Sequence, residues 1–286
     1  MKVREIMTRD VVYAVLPGLR DDVLRLMVKH KKTGVPVVKK GTMKYVGFIR
    51  RQIIFSNPNV EQLALLVNRE HPTVSSNDDL EVAAKIFYDT DVRFLPVVDG
   101  GELVGIVTPT DLMPIIEKME KPPLVRDFMR KRCMPVWAKT PINVALRIMA
   151  ISDIYALPVL DNDAKLCGIV TDRDIFSRGS IDMNIAISDL GLGEDEDSWT
   201  WEGLRNIMKL YYEEARIQLP DISVEEIMVK NPKAVYEDSS VAEAARIMRR
   251  HDFAQLPVKN SEDRLKGMIY ETDIMGALLK GENDEG

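Results

Sequence analysis

Thr171 and Asp174 stand three residues apart, directly after an apolar run opened by a glycine, Gly168-Ile169-Val170. The same arrangement follows Gly105-Ile106-Val107, where Thr108 precedes Asp111. A hydroxyl and a carboxylate at this spacing, between a strand end and a helix start, suit a nucleoside phosphate. The carboxylate can accept hydrogen bonds from both ribose hydroxyls. The threonine hydroxyl and the unpaired amides of the first helical turn can meet a phosphate. A plainer role for the same pair is to cap the helix, but its recurrence after the same glycine strand favours binding. Arg173, between Asp172 and Asp174, is a candidate phosphate partner, with Arg50, Arg51 and Arg93 as further candidates. A forked guanidinium suits a phosphate, although each of these arginines could equally be a surface residue paired with a nearby acid. Two further sites are altered: Asp273 is preceded by Tyr270 in place of the hydroxyl, and Arg50 and Ile53 replace both polar residues.

The elements that must position these residues occur four times. Four apolar runs carry a single proline: Gly34-Val35-Pro36-Val37-Val38, Phe94-Leu95-Pro96-Val97-Val98, Ala156-Leu157-Pro158-Val159-Leu160 and Gln255-Leu256-Pro257-Val258. The prolines lie 60, 62 and 99 residues apart, and each is followed 9 to 11 residues later by the glycine of a second apolar run. Before each proline run, apolar residues recur at helical spacing, as in Val82, Ala83, Ile86 and Phe87, or Val144, Ala145, Ile148 and Met149. Asp21, Asp78, Pro141 and Ser239 mark the helix starts, and turns such as Asp99-Gly100-Gly101 join two short strands. Each unit therefore reads strand, helix, strand, strand, helix. A proline inside a strand predicts an edge, or a place where no ladder donor is required.

This pattern resembles the CBS domain, named after cystathionine β-synthase. Its signature is the apolar-x-Pro-Val-Val strand followed by Gly-apolar-apolar-Thr/Ser-x-x-Asp, and the second and third units match the latter run fully. Val3-Arg4-Glu5-Ile6-Met7, Val125-Arg126-Asp127-Phe128-Met129 and Val224-Glu225-Glu226-Ile227-Met228 resemble the family's leading helix. The resemblance implies an α/β (α+β) fold of four β-α-β-β-α repeats paired into two Bateman modules. The expected boundaries are 1–60 and 61–120 for the first module, then 121–180 and 223–286 for the second, with an insertion at 181–222. The chain is similar to archaeal four-CBS proteins and to the γ subunit of AMP-activated kinase, which senses adenine nucleotides.

By that resemblance, ribose and phosphate are expected at Thr108, Asp111, Thr171, Arg173, Asp174 and Asp273. Adenine is expected against the proline strands, at Ala156, Leu157 and Pro158 and at Gln255, Leu256 and Pro257. Asp174 and Asp273 together make the second module the stronger expected binder. The cleft of Ile53 is expected to be empty or to take something else, because isoleucine cannot hydrogen-bond a ribose. Tyr270 would either stack on a base or plug its pocket.

Composition bounds the rest. The 286 residues are 45% hydrophobic and 29% charged, which suits a chain that buries a core. The net charge of −6 favours neither nucleic acid nor an anionic membrane as partner. Two cysteines, Cys133 and Cys167, are too few for a disulfide framework and point to a reducing, cytoplasmic setting. No zinc spacing, P-loop or nucleophile motif is present, so neither a metal site nor catalysis is expected. In the insertion, Trp199 and Trp201 lead into Leu204, Ile207, Met208 and Tyr211, read either as a covering helix or as a partner surface. The expected function is a non-catalytic regulator that binds AMP, ADP or ATP and signals to a protein effector, with a homodimer as one arrangement. The alternatives are a scaffold with vestigial clefts, or a binder of S-adenosylmethionine.

Overall fold

The computed structural model describes residues 1–30, 32–57, 60–152, 154, 156–171, 174–175 and 219–282. The first repeat contains β1 (Ala14–Leu16), α1 (Arg20–Lys29), β2 (Gly34–Lys39), β3 (Tyr45–Arg50) and α2 (Arg51–Ser56). The second has α3 (Leu80–Thr90), β4 (Leu95–Asp99), β5 (Glu102–Val107) and α4 (Pro109–Ile116). The third has β6 (Val136–Trp137), α5 (Ile142–Ser152), β7 (Ala156–Leu160) and β8 (Leu166–Thr171). In the last quarter, β9 (Val229–Lys230) precedes β10 (Val235–Tyr236), α6 (Val241–His251), β11 (Gln255–Lys259), β12 (Leu265–Tyr270) and α7 (Glu271–Ile274). Among the described residues no helix is long and apolar enough to cross a membrane.

Three of the four proline strands have strands on both sides, β7 between β6 and β8 among them. β2 lies between β1 and β3, and β11 between β10 and β12. Pro36 faces Phe48 of β3, whereas the parallel ladder with β1 begins only at Val37. The donor that proline lacks therefore falls where the short leading strand has not begun, and the ladder loses nothing. In the second repeat the leading strand shrinks to a single bridge between Val74 and Val97.

The leading segments are single 3-10 turns, not longer helices: Val3–Glu5, Val125–Asp127, Val224–Glu226 and a fourth at Leu63–Leu65 that the sequence reading did not identify. Each turn is exchanged, docking on the other repeat of its pair. Val3 N donates to Asp78 O at 3.0 Å, Leu63 N to Gly18 O at 3.2 Å, Val125 N to Ser239 O at 2.8 Å and Val224 N to Thr140 O at 2.8 Å. All four docked side chains are 0% exposed, each contributing about 1.5–3 kcal/mol by burial. The chain then crosses the glycine of the partner repeat's second strand. Thr8 bridges to Ile106, Asn68 to Phe48 and Arg130 to Met268, and β9 pairs with β8. The glycine is required because a Cβ on Gly267 would stand 2.3 Å from the Arg130 carbonyl oxygen.

The helices face the other way. α3 and α4 of the second repeat share one buried cluster with α6 and Met275 of the fourth, through Phe87, Leu112, Ile116, Met248 and Ile274. The first and third repeats share another, through Leu24, Met27, Ile54, Ile142 and Leu146. A repeat cannot cover both faces alone, so the sheet side meets its sister repeat and the helix side meets the other module. Glu117 and Arg249 pair across the second of these contacts at 2.5 Å. The fourth repeat's helix is capped by Ser240, whose hydroxyl accepts from Glu243 N at 3.2 Å, rather than by Ser239. The tryptophans expected in the insertion lie outside the described residues.

Candidate clefts at the strand-to-helix junctions

In the second and third repeats the threonine and aspartate meet as their spacing requires. Asp111 Oδ2 accepts from Thr108 N at 2.7 Å and from Thr108 Oγ1 at 2.8 Å. Asp174 Oδ2 accepts from Thr171 N at 2.8 Å and from Thr171 Oγ1 at 2.7 Å. In the second repeat the capping role is thus realised, and it uses one carboxylate oxygen of Asp111. Asp111 Oδ1 takes no bond among the described residues and remains an available acceptor. Burial raises the Asp111 carboxyl above its ordinary value, against the two bonds from Thr108 that favour its charge.

In the fourth repeat the same position is wired differently. Tyr270 N donates to Asp273 Oδ2 at 2.9 Å, but Oδ1 is held by Arg130 Nε at 2.8 Å. Arg130 comes from the exchanged leading segment of the third repeat, and its guanidinium lies 4.5 Å from the Tyr270 ring centroid. Tyr270 therefore stacks on a cation of this chain. The other two guanidinium nitrogens fork onto Asp91, with Nη1 to Oδ2 at 3.0 Å and Nη2 to Oδ1 at 2.8 Å. Asp91 belongs to the second repeat and ends α3 in the left-handed conformation, φ 57°. Thr272 Oγ1 also donates to Asp91 Oδ1, at 2.5 Å, and Arg93 pairs with Glu271 alongside. Burial raises the Asp273 carboxyl in spite of Arg130, whereas at Asp91 burial is outweighed by the bonds from Arg130 and Thr272, which hold it low.

At the position where the other repeats carry the aspartate, Ile53 packs against the shared core, and Arg51 is 2% exposed. The sheet of this first repeat meets a stack in which His71 lies 4.4 Å from the Phe48 ring, with Nε2 2.8 Å from the Phe94 carbonyl. Burial lowers the His71 pKa against that bond, and Arg50 lowers it further. The unfolded chain takes up a proton near pH 6.5 that the folded chain refuses. The stability contributed is complete above that value and is lost as pH falls through it toward the folded pKa. Wild type should therefore lose more thermal stability between pH 7.5 and 5.5 than His71→Gln, and equal slopes would contradict the assignment.

The proline strands bring the expected adenine residues beside these junctions. Ala156 pairs with Thr171 and Gln255 with Tyr270. Leu157 and Leu256 are 0% and 1% exposed, and Pro158 and Pro257 are also buried, so these four are core side chains that can offer a ligand only backbone. Arg173 lies outside the described residues. Arg93, a candidate phosphate partner, is engaged by Glu271. Arg130 and Asp91 were missed, and the only signal in the sequence was an arginine after Met129 where the other leading segments carry Thr8, Asn68 and Val229. Cys133 and Cys167 are free thiols raised by burial. Among the described residues no three His, Cys, Asp or Glu side chains gather to hold a metal ion.

Paired α/β repeats that exchange their leading turns, with a threonine-bonded aspartate at the strand-to-helix junction of the second and third, define a class of tandem modules. The CBS domain matches this chain at residues 3–57, 60–118, 125–180 and 224–280, and the chain belongs to the CBS domain family. A conserved protein from Pyrococcus horikoshii is similar in structure, with TM-score 0.69, 29% identity, and coverage of 97% of this chain and 100% of that one. MJ1225 from Methanocaldococcus jannaschii shares the fold, with TM-score 0.68 and 21% identity over 97% of this chain and 100% of that one. A CBS domain-containing protein from Dictyostelium discoideum is 31% identical over 157 residues, 55% of this chain and 92% of that protein.

Proposed function

We propose that this chain is a non-catalytic regulatory protein that binds adenosine-containing ligands at the Asp111 and Asp174 junctions. AMP, ADP and ATP are the favoured ligands, and occupancy is signalled to a protein effector. The observation that carries the reading is Asp111: its carboxylate spends one oxygen on its own helix and offers the other to a ligand. Thr171 and Asp174 reproduce the capping geometry, and Ala156 on the facing strand supplies an edge for a base. Two free thiols accord with a cytoplasmic setting. A ligand can shift the packing of the modules only through different affinities for two arrangements.

The test is thermal unfolding of the full chain with AMP, ADP, ATP, S-adenosylmethionine and GTP. A ligand at ~100 times its Kd stabilises by ~2.7 kcal/mol, which raises the unfolding midpoint by several degrees. Adenosine ligands should raise the midpoint, and Asp174→Ala should reduce the shift. A folded protein that shifts with none of them supports the scaffold instead.

A further inference from the structure

The fourth-repeat cleft already holds what a nucleoside phosphate would demand. Asp273, the acceptor for ribose, is 7% exposed and has both oxygens bonded, one to the Tyr270 amide and one to Arg130 Nε. The fork of Arg130, the cation for a phosphate, is closed by the Asp91 carboxylate through two bonds, one to each oxygen, of 3.0 and 2.8 Å. Carboxylate and phosphate present the same bidentate face to a guanidinium. Arg130 itself is 39% exposed, so solvent reaches the site. Asp91 arrives from the other module, on the end of α3, whose helix packs against the chain after Met275.

We propose that Asp91 is an internal stand-in for a ligand phosphate: a phosphate-bearing ligand enters the fourth-repeat cleft only by displacing Asp91 from Arg130, which loosens the contact between the modules. This deepens the adenosine-ligand reading above and rests on it. Asp273 stays available to ribose once Arg130 swings to the phosphate, and Tyr270 then loses the cation that covers its ring. Occupancy of this cleft is thereby coupled to module packing by a single exchange of anions on one arginine. A neutral ligand has no charge with which to displace Asp91.

The experiment is calorimetric titration of AMP and, separately, adenosine into the full chain as wild type, Asp91→Asn and Asp91→Asn/Asp273→Asn. Asparagine keeps the shape of Asp91 and tolerates its left-handed backbone, and Asp91→Gly, which suits the same conformation, provides a second variant. Asp91→Asn should bind AMP about ten-fold more tightly at one cleft, the scale of one charge-assisted bond. Adenosine should bind the two proteins alike, and the double variant should lose the gain. AMP binding to wild type with no gain in either Asp91 variant overturns this proposal alone. An equal gain for adenosine also overturns it, because Asp91 would then act by bulk rather than charge. No binding of either ligand to any of the folded proteins overturns the adenosine reading and this proposal with it.

Discussion

Replacing Gly267 by alanine should lower the unfolding midpoint of the full chain by about 10 °C, while Gly105→Ala lowers it by only a few degrees. Both glycines lie where an exchanged leading segment crosses the partner strand, but what they meet differs. A Cβ on Gly267 would stand 2.3 Å from the Arg130 carbonyl oxygen and 3.3 Å from Lys131 Cα. That carbonyl accepts from Met268 N at 3.0 Å, and Arg130 N donates to Met268 O at 2.8 Å. Relief requires the backbone to move, with loss of two hydrogen bonds at about 1 kcal/mol each and overpacking of about 1–3 kcal/mol. A Cβ on Gly105 would meet Met7 Sδ at 2.7 Å, and an unbranched thioether can turn away. Thermal unfolding of the two variants side by side checks this, and equal losses would contradict the crossing geometry.

Arg130→Ala should destabilise the protein by about 2–3 kcal/mol at neutral pH, below the ~3–5 kcal/mol of a fully buried broken pair because Arg130 is partly exposed. The loss comes from Asp273, which would keep a charge at 7% exposure with no cation facing it. Two consequences separate this from lost packing. Adding Asp273→Asn to Arg130→Ala should restore stability, since the unpaired charge is gone. Lowering the pH should do the same, because a carboxyl whose folded pKa is raised is favoured in its protonated form. The penalty is full above that folded pKa and is relieved as pH falls through it. Denaturant titrations at pH 7 and pH 5 would show it, and no recovery in either arm would contradict the account.

What the sequence displayed was whatever is local or periodic. Thr108 with Asp111 and Thr171 with Asp174 lie three residues apart, so the contact is decided within one helical turn and is readable without the fold. The repeat of proline and glycine strands is equally visible, because the same side chains must fill the same places four times. Arg130 with Asp91 and Asp273 was not, since the partners are 39 and 143 residues away and meet only after the modules pack. The leading turns of three residues are too short to show a period, and Leu63–Leu65 lacks the acidic third residue of the other three. The proline allows either an edge or a place where no ladder donor is required, and the second holds in the first repeat because the leading strands are two or three residues long, or a single bridge at Val74.

Equilibrium dialysis of AMP against the full chain, wild type beside Asp111→Ala/Asp174→Ala, addresses the central claim most directly. Wild type should retain AMP above the free concentration, and the double variant, folded by its unfolding midpoint, should retain far less. A double variant that holds AMP as wild type does, or a folded wild type that holds none, would contradict binding at these junctions.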